Sequence, residues 1–304
     1  MKKYVLYILA NDIDYIDSML RFFPKEGYDN TDIYLVNDDI HLKDIKEDLK
    51  KLTKRYDNKY INNAKVLSGK EIANYYINKL NLTEIGKYNL MTHPMNVHIL
   101  LYDYGIENGY EATIYTDDDV FILGSIESII ENNDENIIGT KFNLGIQRGR
   151  NFSTLYEIIT DTFDKEFNID DLSKNMLMNG TMILRDAPRL KEFITRFYNN
   201  EKLTPFVKNF RKYPYEFESF LLDLVFISSY CHWLLDNNYT IRNLKEMQLF
   251  YYYELKSSLY RFDLSKYTIC HYMTPSKDKL DCCEKMVNLL MRKYPYLENE
   301  PKNN

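Results

Sequence analysis

The chain has 304 residues, 45% hydrophobic and 28% charged. That balance belongs to a folded domain and excludes a disordered chain or a fibrous repeat. With 39 basic against 45 acidic residues the formal net charge is −6, so no general nucleic-acid face is expected, and four cysteines are too few for a disulfide framework.

Met1-Lys2-Lys3 leads into an apolar run, but Asn11, Asp12 and Asp14 follow at once with no small-residue cleavage site. The segment 4–10 therefore reads as a buried first strand rather than a signal peptide. Ile13, Ile16, Met19, Leu20 and Phe23 fall on one side of a helix over 13–23. A second buried strand over 32–36 stops at Asn37-Asp38-Asp39, and Ile45, Leu49 and Leu52 mark a charged amphipathic helix over 40–55. A strand over 64–67, a helix over 70–80, a helix from about Met95 to Tyr104 after Pro94, and a strand over 112–116 complete the first half.

This β-α-β-α order predicts an α/β fold with a mostly parallel sheet covered by helices on both faces. Ligands of such sheets sit beyond the carboxyl ends of the strands. Two polar clusters fall there, Asn11-Asp12 and Asp117-Asp118-Asp119. The second half is less regular: a strand over 181–184, helices over 189–199 and 217–235, and a short strand over 267–270 running into His271. The apolar stretch Phe220 to Leu235 carries Asp223, Ser228, Ser229 and His232, which suits a core helix rather than a membrane span. A cytoplasmic, soluble protein is expected, with one domain over 1–297 and a frayed polar tail over 298–304. The 28 tyrosines are so numerous that a cluster such as Tyr251-Tyr252-Tyr253 reads as core or surface filler.

Four constellations carry chemistry. The first is Asp117-Asp118-Asp119, preceded by an apolar strand and followed by Val120-Phe121-Ile122. Carboxylates two apart at a strand end can converge on Mg²⁺ or Mn²⁺, and adjacent carboxylates repel unless a cation joins them; a solvated acidic turn is the alternative. The second is His271-Tyr272-Met273-Thr274-Pro275-Ser276-Lys277, where the imidazole can complete a metal site and Lys277 can neutralise a phosphate; taken alone it reads rather as a surface loop with an incidental His and Lys. The third is Met178-Asn179-Gly180-Thr181, entering a strand where glycine permits close ligand approach. The fourth is the acidic helix start Glu216-Phe217-Glu218-Ser219-Phe220-Leu221-Leu222-Asp223, whose acids otherwise serve as caps. The segment 141–150, with two glycines and three basic residues, reads as a loop over the site or an ordinary surface turn.

In this order the four pieces resemble glycosyltransferase family 8, over roughly residues 4–280. The resemblance implies a GT-A type fold, with a nucleotide-binding half over 1–123 and an acceptor- and sugar-binding half over 124–297. It implies that Asp117, Asp119 and His271 hold Mn²⁺ or Mg²⁺, that Lys277 touches the donor diphosphate, and that Ala10, Asp12, Tyr15 and Asp118 contact the nucleotide. Asn179, Gly180 and Glu218 would face the donor sugar, with Glu218 and Asp119 as the catalytic carboxylates. The implied reaction is hexosyl transfer, glucose or galactose, from a UDP-sugar to a hydroxyl of a glycan, lipid or protein, with retention. The chain departs from the family at Ser219, where a Gln is common, at Thr274, where a Gly is common, and by lacking a Trp after Lys277. The basic residue that the family carries before its D-x-D strand has only His93 and His98 as counterparts. The alternatives are a nucleotide-sugar-binding protein without turnover, a D-x-D phosphatase, and a zinc module built on Cys270, His271, Cys282 and Cys283.

Overall fold

The computed structural model describes residues 2–93, 96–142, 152–168, 176–210, 222–251, 263–273 and 279–302. Among these, seven strands form one sheet in the order β3 (Lys65–Ser68), β2 (Thr31–Asn37), β1 (Tyr4–Leu9), β4 (Ala112–Thr116), β7 (Met176–Leu184), β6 (Ile137–Phe142) and β8 (Ile241–Asn243). β1 is parallel to both β2 and β4, β7 runs antiparallel to β4 and β6, and β6 is parallel to β8. A three-stranded sheet lies beside it in the order β5 (Val120–Ile122), β10 (Ile269–Met273) and β9 (Met247–Tyr251). All six residues of β1 are buried, as its unbroken apolar run requires of a central parallel strand.

Helices cover both faces. On one side lie α1 (Ile13–Arg21), α2 (Lys46–Leu52), α3 (Lys59–Asn62) and α7 (Ile126–Glu131), which close a core around Leu6, Ile8, Ile33 and Ile114. On the other lie α4 (Gly69–Lys79), α5 (Glu84–Thr92), α6 (Asn96–Glu107), α8 (Phe152–Phe163), α9 (Leu190–Asn199), α10 (Thr204–Phe210) and α11 (Leu222–Asp236), around Tyr7, Tyr115 and Leu184. A third cluster joins α12 (Lys279–Lys293) to Phe22, Phe121 and Tyr272, and Cys270, Cys282 and Cys283 are buried within it. The α/β class and the helix-flanked, mostly parallel sheet are as the sequence predicts. No described helix is long and apolar enough to cross a membrane.

Local chemistry sets the element ends. Asp12 caps α1, its carboxylate accepting from the Asp14 and Tyr15 amides at 2.9 and 3.3 Å. Ser68 and Glu71 close a capping box on α4. The helix expected over 40–55 begins only at Lys46. Asn37 explains the delay: its side chain accepts from the Ile45 amide at 3.0 Å and donates to the Lys43 carbonyl at 3.2 Å, pinning the preceding turn. The described part of the tail, 298–302, is tied to the fold rather than free. Glu298 pairs with Arg21, and buried Asn299 donates to the Leu20 and Phe23 carbonyls at 2.9 and 2.8 Å. Four strands, β5, β6, β8 and β9, were not separable in the sequence; β5 and β8 have three residues each.

Gly105 lets α6 lie against the sheet, because a Cβ there would stand 2.0 Å from Thr113 Oγ1 and 2.8 Å from Val5 Cγ1. Gly105→Ala is expected to lower stability by about 1–3 kcal/mol through overpacking. A shifted urea midpoint at constant slope would register it, whereas an unchanged midpoint would mean that α6 moves off the sheet at no cost.

Candidate functional site

β1, β2 and β4 end side by side, and their polar termini are tied together. The Asn11 side-chain oxygen, just after β1, accepts from the Asp38 amide at 2.9 Å, just after β2. Asp39 is consumed by the scaffold: Ser68 Oγ and the Lys70 amide donate to it at 2.8 and 2.9 Å, and Lys46 Nζ lies 2.8 Å away. Asp38 is different. Its Oδ1 is buried without a hydrogen bond, and burial raises its carboxyl to about 6 against the opposing pull of His98.

The acidic turn Asp117–Asp119 bridges the two sheets, between β4 and β5. Register explains what meets it. β10 runs antiparallel to β5 with His271 opposite Val120, and the Tyr272 amide donates to the Asp119 carbonyl at 3.1 Å. His271 is thus an interior residue of β10 rather than one beyond a strand end, and its Nε2 stands 3.0 Å from Asp119 Oδ1. One ligand atom each from Asp117, Asp119 and His271 lies within 4.8 Å of the others. Asp117 is oriented by the Tyr115 hydroxyl, which donates to its Oδ1.

Electrostatics separates these acids. Burial is the largest influence on all of them. It holds Asp117 above the usual carboxylate range despite His98 and His271. On Asp119 it is overturned by His271 and Lys279, which hold that carboxyl low. Burial likewise opposes charge on His271, but Asp119 and Asp117 win and raise the imidazole. The donor set fits a hard divalent cation: two carboxylates and one imidazole converge, and the buried Asp119 Oδ1 faces His271 without a satisfied hydrogen bond.

Behind the turn sits a second charged pair. His98 on α6 packs its ring 5.1 Å from that of Tyr115 and bonds through Nδ1 to Asp223 Oδ2 on α11 at 3.0 Å. Burial disfavours the imidazolium, yet the Asp223 hydrogen bond and the charges of Asp117, Asp223 and Asp38 raise it to about 9. His93 is the opposite case. Burial lowers it to about 3, and its Nδ1 lies 3.0 Å from the Tyr198 hydroxyl. Of the two histidines before the D-x-D strand, His98 is therefore the basic one.

The structure brings Asp117, Asp119 and His271 together, with Asp118 beside them. Ala10 is buried at the end of β1, and Asp12 and Tyr15 begin α1. Thr181 bonds Thr116 through their hydroxyls at 3.1 Å, the last pair of the β4–β7 register, and Asn179 and Gly180 precede it on β7. Glu218, Lys277 and residues 143–150 lie outside the described residues. Sequence reasoning missed Lys279, whose Nζ lies 2.5 Å from Asp118 Oδ1 and 3.5 Å from Asp119 Oδ2. It also gave no role to Asp38 or to the His98–Asp223 pair. Lys277 matches the family spacing and drew the reading away from Lys279, to which no feature of the sequence pointed.

No protein-family model matches the chain, and no curated protein matches it by sequence. Similar solved structures include galactosyltransferase LgtC in complex with donor and acceptor sugar analogs, at 10% identity and a TM-score of 0.42 over 92% of this chain and 95% of that one. Mouse xyloside xylosyltransferase 1 in its apo form has 11% identity and a TM-score of 0.48 over 89% of this chain and 97% of that one. Glycosyltransferase GlyE of Streptococcus pneumoniae TIGR4 has 11% identity and a TM-score of 0.39 over 100% of this chain and 66% of that one.

The raised imidazole carries a pH signature. With His98 at about 9 in the folded chain and 6.5 when free, the pair contributes stability that is complete below pH 6.5 and is lost as pH rises through about 9. The contribution is on the order of 3 kcal/mol. Urea midpoints of the wild type and His98→Gln at about pH 6 and about pH 9.5 test it. The wild type should lose more stability than the variant on going to the higher pH, and equal losses would mean that the pair is not ionised.

Proposed function

We propose that the chain is a metal-dependent glycosyltransferase that moves a hexose, glucose or galactose, from a UDP-sugar to an acceptor hydroxyl with retention at the anomeric carbon. The observation that carries this reading is the convergence of Asp117, Asp119 and His271 at the carboxyl edge of the parallel strands. The ordered set of sequence motifs supports it independently.

In this reading Asp117, Asp119 and His271 hold Mn²⁺ or Mg²⁺, which supplies Lewis-acid neutralisation of the departing diphosphate. The chain's own groups do the rest. Tyr115 fixes the orientation of Asp117 by donating a hydrogen bond. Burial of Val120, Phe121 and Ile122 keeps water from the underside of the turn and strengthens its electrostatics. Ala10, Asp12, Tyr15 and Asp118 receive the nucleotide, and Lys277 is assigned to the diphosphate. Asn179, Gly180 and Glu218 are assigned to the sugar, with Glu218 as the carboxylate that stabilises or attacks the anomeric centre. The acceptor is a hydroxyl of a glycan, lipid or protein.

Calorimetric titration of UDP with Mn²⁺, and again with EDTA, tests the donor site. Micromolar binding is expected only with metal, and the double variant Asp117→Asn, Asp119→Asn should weaken it by about a hundredfold or more, a loss of about 2.7 kcal/mol or more. Metal-independent binding, or none, would overturn the reading. If binding holds, released UDP measured with UDP-glucose and UDP-galactose separates transfer from binding without turnover.

A further inference from the structure

Lys279 is the first residue of α12, a helix of 15 residues. That is an unfavourable place for a cation, because the helix dipole is positive there. Its ammonium is held by the acidic turn instead, 2.5 Å from Asp118 Oδ1 and 3.5 Å from Asp119 Oδ2, and 5.5 Å from the centre of the Tyr15 ring. The three side chains are only 20%, 12% and 14% exposed, so solvent screens them little. Asp119 is thereby engaged on both oxygens, Oδ1 facing His271 and Oδ2 facing Lys279. Asp118 is not one of the three convergent ligands.

We propose that Lys279 is the resident counter-cation of the acidic turn, and that a divalent ion taking up Asp117, Asp119 and His271 must displace it from Asp119. This rests on the metal site of the proposed function. A divalent ion on Asp119 brings two positive charges beside an ammonium in a poorly screened space, so the two compete. Lysine is a point charge on a flexible stem, so it can withdraw to Asp118 or to an incoming anion. Lys279 therefore holds down the affinity for metal alone. A bound diphosphate gives the ammonium a new partner and relieves the competition, so metal and nucleotide bind with positive coupling.

Loss of the free Mn²⁺ signal in electron paramagnetic resonance tests this without any turnover. Lys279→Met should bind Mn²⁺ alone about tenfold more tightly than the wild type, and the gain in Mn²⁺ affinity on adding UDP should shrink by about the same factor. Lys279→Arg keeps the charge and should stay within about twofold of the wild type. Lys279→Gln, which still donates a hydrogen bond to Asp118, should repeat the methionine result and serves if the methionine variant does not fold. A wild type that binds Mn²⁺ with neutral variants that bind it no more tightly overturns this inference alone. Failure of every form to bind Mn²⁺ overturns the metal site and this inference with it.

Discussion

Three consecutive carboxylates form the turn that joins the two sheets, and the surrounding chain is organised to let them stay there. Asp117, Asp118 and Asp119 are each half-buried, where like charges repel strongly and water compensates little. Positive groups reach them from elements distant in sequence: His271 from the middle of β10 and Lys279 from the start of α12. The antiparallel pairing of β5 with β10 makes this meeting possible, since it sets His271 opposite the residue after Asp119. Without that small second sheet the acids would be an ordinary solvated turn.

The same constraint extends inward. His98 and Asp223 form a buried pair behind Tyr115, and Tyr115 in turn holds Asp117. The charged pair thus meets the Tyr115 ring, and the Tyr115 hydroxyl in turn bonds the first acid of the turn. α6 and α11, which supply His98 and Asp223, are also packed into the larger apolar core. Positioning of the charged pair and packing of the fold are consequently the same event. Removing one partner would leave an uncompensated buried charge, which is costlier than removing both.

Much of this was legible in the residue order. The fully apolar run Val5 to Leu9 and the strand Ala112 to Thr116 announce central parallel strands, and the acids that end the latter mark its carboxyl edge. The D-x-D pair was identifiable as a candidate cation site because carboxylates two apart close an apolar strand, whereas His271 joined it only through the family resemblance. The start of α2 was misread because the period of Ile45, Leu49 and Leu52 says nothing of Asn37, whose amide restrains the turn before it. The polarity of the tail gives no sign of Asn299, which satisfies its hydrogen bonds on the Leu20 and Phe23 carbonyls rather than in water. The strands β5 and β8, at three residues each, are too short for any period to emerge.

What the sequence by itself determined is the class of fold, the edge of the sheet where the acidic groups gather and the chemical type of those groups. These follow from local pattern: apolar runs bury, and charges interrupt them. Only the tertiary structure decided which cation answers which acid. The spacing from His271 points to Lys277 and gives no sign of Lys279, and it is the docking of α12 on Phe22, Phe121 and Tyr272 that sets Lys279 against Asp118. His93 and His98 are equal in sequence, yet one is buried beside a tyrosine and held neutral while the other faces Asp223 and is held charged. Charge states and ion partners depend on desolvation and on distances across the chain, and neither is encoded in neighbouring residues.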